Sequence, residues 1–244
     1  MKIVALIPAR FGATRFPAKL MADLCGKPLI ARTYLSTMAT GVFDKVVVVT
    51  DHEEIAEVIR AEGGEVFLSQ KEHESGSDRI AEAAEKIEAD VIVNVQGDEP
   101  FQDKGSLHSL VAAFQDPKVE VASLMAILSE KEKIQNPNIV KVVVDKEYFS
   151  LYFSRSPIPY IRDSAAETRF FRHIGIYAYK KQMLMRFTSW EKSILEKTEM
   201  LEQLRLLENG VRIKMILTEH QAVAIDTPED LVKAKLYYQN NFAG

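Results

Sequence analysis

The chain has 244 residues, 47% hydrophobic and 27% charged, which suits a sequence that buries a core and lets a single α/β sheet use its whole length. Its formal net charge of −4 excludes a general nucleic-acid binder, whose affinity would rest on neutralising phosphates. The single cysteine, Cys25, excludes an internal disulfide and a cysteine metal cluster, and is expected to be a small buried hydrophobe.

The first predicted element is a strand over residues 2–9. It is nearly all Val, Ile, Leu and Ala, as in a parallel strand buried on both faces. It runs into Pro8-Ala9-Arg10-Phe11-Gly12-Ala13-Thr14-Arg15-Phe16-Pro17-Ala18-Lys19, within a segment where Lys2, Arg10, Arg15, Lys19 and Lys27 face only Asp23. A loop at the carboxyl end of a first strand lies where open α/β sheets bind ligands. There Arg10, Arg15 and Lys19 either converge on one polyphosphate or form an ordinary solvated basic loop. Neither Gly-x-x-x-x-Gly-Lys-Ser/Thr nor Gly-x-Gly-x-x-Gly occurs in this loop, which disfavours P-loop NTPases and dinucleotide dehydrogenases.

Strands are predicted next over Lys45–Thr50, Glu65–Leu68 and residues 90–95, with helices over Glu53–Ala61 and residues 78–87 between them. This βαβα order predicts right-handed crossovers and a sheet covered on both faces. The strand at 90–95 ends in Gln96-Gly97-Asp98-Glu99-Pro100, so Asp98 is expected at the sheet edge, facing the same crevice. Magnesium takes one or two protein carboxylates and completes its shell with phosphates and water. Asp226, directly before a helix start, is placed to be the second, although alone it reads as an ordinary residue of the capping turn.

The middle of the chain differs. Val121–Leu128 and residues 140–144, 148–154 and 172–179 read as successive strands, the last with Ile174, Ile176 and Ala178 on one buried face. They predict an antiparallel extension of the main sheet that can lean on a second copy, hence a homodimer. A helix is expected over 199–208 with Met200, Leu201, Leu204 and Leu207 on one side, then a strand over 211–217. Thr227 should cap a final helix, with Pro228 first and Asp230 closing a capping box. No linker interrupts the chain, so a single domain over 1–244 is expected, with a dimerisation and sugar-binding subregion at about 121–190. No apolar run approaches the roughly 20 residues of a membrane span. The N-terminus reads as a strand and not a signal peptide, so a cytoplasmic protein without membrane insertion is expected.

Seven blocks in order carry a resemblance. They are Ile7-Pro8-Ala9-Arg10 with Lys19, His73-Glu74-Ser75-Gly76-Ser77-Asp78-Arg79, Asn94-Val95-Gln96-Gly97-Asp98-Glu99-Pro100, and Tyr152-Phe153-Ser154-Arg155 with Pro157-Ile158-Pro159. Arg172-His173-Ile174-Gly175-Ile176-Tyr177, Glu199-Met200-Leu201-Glu202-Gln203-Leu204-Arg205 and Asp226-Thr227-Pro228-Glu229-Asp230 complete the set. On these blocks the chain strongly resembles the CMP-Kdo synthetases, the 3-deoxy-manno-octulosonate cytidylyltransferases, over essentially its whole length.

The resemblance implies a Rossmann-like nucleotide-diphospho-sugar transferase fold, α/β, with a mostly parallel central sheet and an antiparallel dimerisation extension. It implies CTP and Kdo as substrates, CMP-Kdo and pyrophosphate as products for lipopolysaccharide biosynthesis, and Mg²⁺, two ions per site. Arg10, Arg15, Lys19 and Asp98 would be catalytic. Pro8, Ala9, Arg10, Lys19, Arg79 and Gln96 would bind the nucleotide, and Asp98 and Asp226 the metal. Gln96, Arg155, His173, Tyr177, Glu202 and Gln203 would bind the sugar. The alternatives are a cytidylyltransferase for 8-amino-Kdo or sialic acid, and a non-catalytic nucleotide-binding protein. Two departures stand out. Phe16-Pro17-Ala18-Lys19 replaces the usual Leu-Pro-Gly-Lys, and Ala enters positive φ less freely than Gly, so a different turn is expected. Ser77 and Asp78 replace the commoner Thr and Glu, mild changes that remove no metal ligand.

Overall fold

Val4, Ala5, Leu6 and Ile7 are wholly buried, and the strand they form, β1 (Ile3–Ala9), has neighbours on both edges. In the computed structural model, residues 1–12, 16–163, 165, 167–220 and 224–242 are described. Contacts divide the chain into two units, Met1–Leu107 with Ala222–Gly244, and His108–Gln221.

In the first unit β1 pairs in parallel with β2 (Lys45–Thr50) on one side and β4 (Val91–Asn94) on the other, and β2 pairs in parallel with β3 (Glu65–Leu68). The strand order β3-β2-β1-β4 is that of a doubly wound sheet, and it reverses direction between β1 and β4. Such a reversal leaves a crevice beyond the carboxyl ends of the two strands. The expected parallel strands are all present, β1 and β4 being one or two residues shorter than their apolar runs.

Helices α1 (Leu29–Ala39), α2 (Glu53–Ala61) and α3 (Gly76–Lys86) accompany these strands. Helix α2 buries Ile55, Ala56 and Ile59, a stripe its spacing predicts. Helix α1 was not among the predicted elements. It buries residues on most of its circumference, so no clean stripe marks it. Thr33 and Thr37 turn their hydroxyls onto the carbonyls of Leu29 and Thr33, at 3.2 and 2.7 Å, which makes polar residues compatible with that burial.

Helix α4 (Lys104–Ala112) spans the boundary between the units along the chain. The second unit is built on β5 (Val121–Leu128), with α5 (Lys131–Gln135), β6 (Lys141–Val144), β7 (Ser150–Ser154) and β8 (Phe170–Lys180) following. Strands β5–β8, β6–β7 and β6–β8 are antiparallel, as expected. The predicted start of β7 at Tyr148 is displaced because Tyr148 takes φ 60° in the preceding turn. The single buried face expected for β8 is corrected. Ile176, Tyr177, Ala178 and Tyr179 are all buried, and the register shifts at Ser123/Leu124 of β5. A strand covered on both faces has no alternation to read.

After α6 (Lys181–Ser189) comes a second correction. The helix expected over 199–208 is two short ones, α7 (Ile194–Glu199) and α8 (Leu204–Glu208), separated at Met200, which is left-handed with φ 52°. Met200 is 76% exposed while Leu201 is buried, so the apolar residues do not share one helical face. Arg205 locks the break. It donates to Glu196 through Nε and Nη2, both at 2.7 Å, with both side chains buried. A forked, buried pair of this kind is rigid, and it is costly to break from either side. Strand β9 (Ile213–Leu217) then pairs in parallel with β5.

Helix α9 (Pro228–Phe242) closes the described chain in the first unit. The Asp230 amide donates to Thr227 Oγ1 at 3.2 Å and the Thr227 amide to Asp230 Oδ2 at 3.1 Å, the expected capping box. Cys25 is half-buried, not fully buried as expected, with φ 53°. Its loop lies beside α9, where Sγ is 3.8 Å from the Lys235 carbonyl. No helix among the described residues is long and apolar enough to cross a membrane.

Candidate active site

The crevice beyond β1 and β4 is a cavity of about 280 Å³. Residues 8–10 leave β1 and residues 96–98 leave β4 to form two of its walls, and residues 73–76 with Arg79 form a third. Gly97 permits the close approach of the first two. A Cβ there would lie 3.0 Å from the Pro8 carbonyl and 3.3 Å from Ile30 Cδ1, so the loop after β4 needs a residue with no side chain. The Gly97 carbonyl accepts from Thr33 Oγ1 at 2.8 Å, which ties this loop to α1.

All six residues expected to bind nucleotide, Pro8, Ala9, Arg10, Lys19, Arg79 and Gln96, line this one cavity. Arg10 is exposed at it. Arg15 lies outside the described residues. Lys19 enters from a 3₁₀ turn, Lys19–Met21, preceded by Ala18 at φ 51°, ψ 28°. Alanine therefore stands here in the left-handed conformation that glycine adopts more freely. A left-handed alanine is strained, while glycine gives back part of the gain as unfolded-state entropy. Ala18→Gly is accordingly expected to stabilise the fold by about 0.5–1 kcal/mol. A thermal melt checks this, and a lower midpoint would count against the strain.

The Lys19 ammonium lies 2.6 Å from Asp98 Oδ2 and 3.2 Å from Asp226 Oδ1. Two carboxylates far apart in sequence thus converge on one cationic atom. They are brought together by the main chain, since the Ile225 amide donates to the Asp98 carbonyl at 3.0 Å, while the capping box fixes the turn that holds Asp226. Asp226 thus adjoins the capping turn and also faces Asp98 across the Lys19 ammonium. Among the described residues no group of three or more His, Cys, Asp and Glu is placed to hold a metal ion.

Arg79 sits in the first turn of α3, where the helix dipole disfavours a cation. The structure compensates with Asp51, just after β2, whose Oδ2 accepts from Arg79 Nη2 at 2.8 Å. Burial pushes the Asp51 carboxyl up, and the Arg79 hydrogen bond and charge outweigh this, leaving it below its ordinary value. The other terminal nitrogen of Arg79, Nη1, is buried without a hydrogen-bond partner among the described residues. In the same cavity lining, His73 Nε2 lies 2.7 Å from Glu82 Oε2 and 3.1 Å from Ser69 Oγ, with His73 and Glu82 side chains only 9% and 7% exposed. Burial raises Glu82, but hydrogen bonds from Ser69, His73 and the Gln70 amide win and lower it from 4.5 to about 2.

Because the folded value lies below the unfolded one, the stabilisation from Glu82 is present above pH 4.5 and is lost as pH falls toward 2. Glu82→Ala should destabilise the protein by about 1–3 kcal/mol at pH 7 by orphaning these donors. It should also flatten the fall of the melting midpoint across that acid window. An equally steep fall in the variant would remove Glu82 from the acid response.

The residues expected to contact sugar lie, except for Gln96, in the second unit. Arg155 is committed to main-chain carbonyls, Nε to Glu199 at 2.8 Å, Nη1 to Pro137 at 3.0 Å and Nη2 to Met200 at 3.3 Å. His173 is half-buried, and Tyr177 is buried with its hydroxyl unpartnered among the described residues. Their rings lie 5.2 Å apart. Glu202 falls in the turn between α7 and α8, near Arg205 Nη2 at 3.5 Å. Gln203 is buried, so neither belongs to a solvated helix face.

A family model described as cytidylyltransferase matches residues 4–213. The 3-deoxy-manno-octulosonate cytidylyltransferase of Flavobacterium johnsoniae is 54% identical, over 96% of this chain and 98% of its own. The enzyme of the same name from Christiangramia forsetii is 52% identical, over 96% of each. The chain belongs to the 3-deoxy-manno-octulosonate cytidylyltransferase family. A solved CMP:2-keto-3-deoxy-manno-octonic acid synthetase, complexed with CTP, superposes with a TM-score of 0.94 at 36% identity, over 99% of this chain and 100% of that one. A 4-diphosphocytidyl-2C-methyl-D-erythritol synthase from Anaerococcus prevotii shares the fold alone, at TM-score 0.66 and 14% identity.

For this cytidylyltransferase the sequence reading overlooked Asp51, Ser69 and Glu82, which hold Arg79 and His73. Asp51 had a usable signal, an acid directly after an apolar parallel strand, the same placement that singled out Asp98. Ser69 and Glu82 had none, because their role depends on a contact formed across a loop.

Proposed function

We propose that this protein transfers CMP from CTP to the anomeric hydroxyl of Kdo. The hydroxyl gives up its proton to water and its oxygen forms a bond to the α-phosphorus, the bond from that phosphorus to the bridging oxygen breaks, and pyrophosphate leaves. The observation that carries this reading is the Lys19 ammonium held by Asp98 and Asp226 in a cavity where strand order reverses. The likeness to a synthetase complexed with CTP supports the nucleotide, and the names of the relatives support the sugar.

In this reading the nucleotide lies against Pro8, Ala9 and Gln96. Arg10, Arg15 and Lys19 neutralise the triphosphate and the departing pyrophosphate, the chief demand of such transfers. Arg79 contributes Nη1, which has no hydrogen-bond partner among the described residues, with Asp51 fixing the guanidinium. The two aspartates fit a divalent cation, since their oxygens already meet on a single cationic atom at 2.6 and 3.2 Å and Mg²⁺ needs few protein ligands beside phosphates and water. Asp98 and Asp226 would hold it, with a second ion carried by the phosphates. When bound, this metal supplies charge stabilisation for the attacking and leaving oxygens. Arg155, His173, Tyr177, Glu202 and Gln203 bind the sugar with Gln96. The whole chain acts as one cytoplasmic cytidylyltransferase unit, with residues 121–190 serving dimerisation. Phosphorus NMR of a reaction with CTP and Kdo tests the proposal. One new phosphodiester resonance appearing with pyrophosphate is expected, and consumption of CTP without a sugar adduct would refute it.

A further inference from the structure

His173 meets Ser123, a wholly buried residue of β5. Ser123 Oγ lies 2.9 Å from His173 Nε2, 3.1 Å from the Ile174 carbonyl and 2.9 Å from the Ile176 carbonyl. Three polar atoms therefore surround a hydroxyl that owns one proton. Were that proton given to Nε2, the oxygen lone pairs would face two carbonyl oxygens in a buried setting with no donor between them. Given to either carbonyl, it leaves a lone pair facing the ring, and the contact is favourable only if Nε2 carries the hydrogen. The register shift at Ser123/Leu124 brings the two carbonyls to the same hydroxyl, so the arrangement is built into the strand pairing.

The ring has little freedom to escape this. It sits 5.2 Å from the Phe153 ring in an edge contact and 5.2 Å from the Tyr177 ring. Burial drops its pKa to about 3, so it is neutral near pH 7 and one nitrogen must be bare. We propose that Ser123 is a positioning residue that holds His173 as the Nε2–H tautomer, presenting Nδ1 to the sugar as a hydrogen-bond acceptor. This rests on the assignment of His173 to the sugar. It defines the group recognised there as a donor, a hydroxyl and not the carboxylate, which has no proton to offer. Burial also raises the Tyr177 phenol well above its ordinary value, so its hydroxyl, unpartnered among the described residues, stays protonated.

The test is a long-range proton–nitrogen spectrum of full-length enzyme labelled at histidine, with the His173 signals identified by their loss in His173→Gln. Wild type is expected to show a single Nε2–H tautomer with bare Nδ1, and Kdo should shift the Nδ1 signal. Ser123→Ala should give a mixture of tautomers and raise KM for Kdo about tenfold, the worth of one hydrogen bond, with kcat and KM for CTP changed much less. Ser123→Thr, which keeps the hydroxyl, should restore the single tautomer. An Nδ1–H tautomer in wild type, or an Nδ1 signal indifferent to Kdo while the enzyme turns over, would overturn the proposal. Absence of turnover in wild type would instead remove the functional reading on which it rests.

Discussion

Asp98→Asn is expected to lower turnover at least about 10³-fold while the melting midpoint stays within a few degrees of wild type. The magnitude is that of losing a preorganised charge at a transfer centre. The amide keeps the volume of the carboxylate, and Asp98 lies outside the apolar core with its side chain 25% exposed, so packing is little affected. Its backbone carbonyl, which accepts from Ile225, is untouched, and Asp226 therefore keeps its place. The loss is of charge alone. Pyrophosphate release measures the first effect, and Mn²⁺ titration in the presence of CTP, followed by electron paramagnetic resonance, should show weakened binding. Activity near wild type would remove Asp98 from the metal site.

Lys19→Met is expected to lower turnover by about 10²–10³, the effect of deleting one stabilising donor at a developing charge. Its effect on metal binding should run the other way. In the structure the ammonium occupies the space between the two carboxylates, so an incoming cation must displace it. Met fills a similar volume without charge, and the side chain is only 13% exposed. Mn²⁺ should therefore bind the variant more tightly than wild type when no nucleotide is present. In wild type the triphosphate offers Lys19 an alternative partner, so CTP should favour metal entry. Unchanged turnover would exclude Lys19 from the chemistry. Weaker Mn²⁺ binding to the variant would exclude competition between the ammonium and the metal.

What could be read from the sequence follows from where each signal is local. The parallel strands β1, β2, β3 and β4 announce themselves because strands buried on both faces must be apolar throughout. The cavity lining was partly legible too, since Arg10, Gln96 and Asp98 directly follow such strands, while Lys19 enters from the later 3₁₀ turn. Helix α1 was not, because burial on most sides erases the periodicity of an amphipathic helix. The break at Met200 escaped because leucine spacing over 199–208 fits a helix, whereas the Arg205–Glu196 pair that enforces the turn is a tertiary contact. The polar partners Ser69, Glu82 and Ser123 are single residues without a motif of their own. Their importance appears only when distances do.

The reaction is tested most directly by pyrophosphate release from CTP and Mg²⁺ with Kdo, 8-amino-Kdo and sialic acid offered separately, each with and without chelator. Release with Kdo that stops on chelation is expected, with no comparable release with sialic acid. Release only with another of these sugars would contradict the substrate while keeping the chemistry, and no release with any of them would contradict the reaction itself.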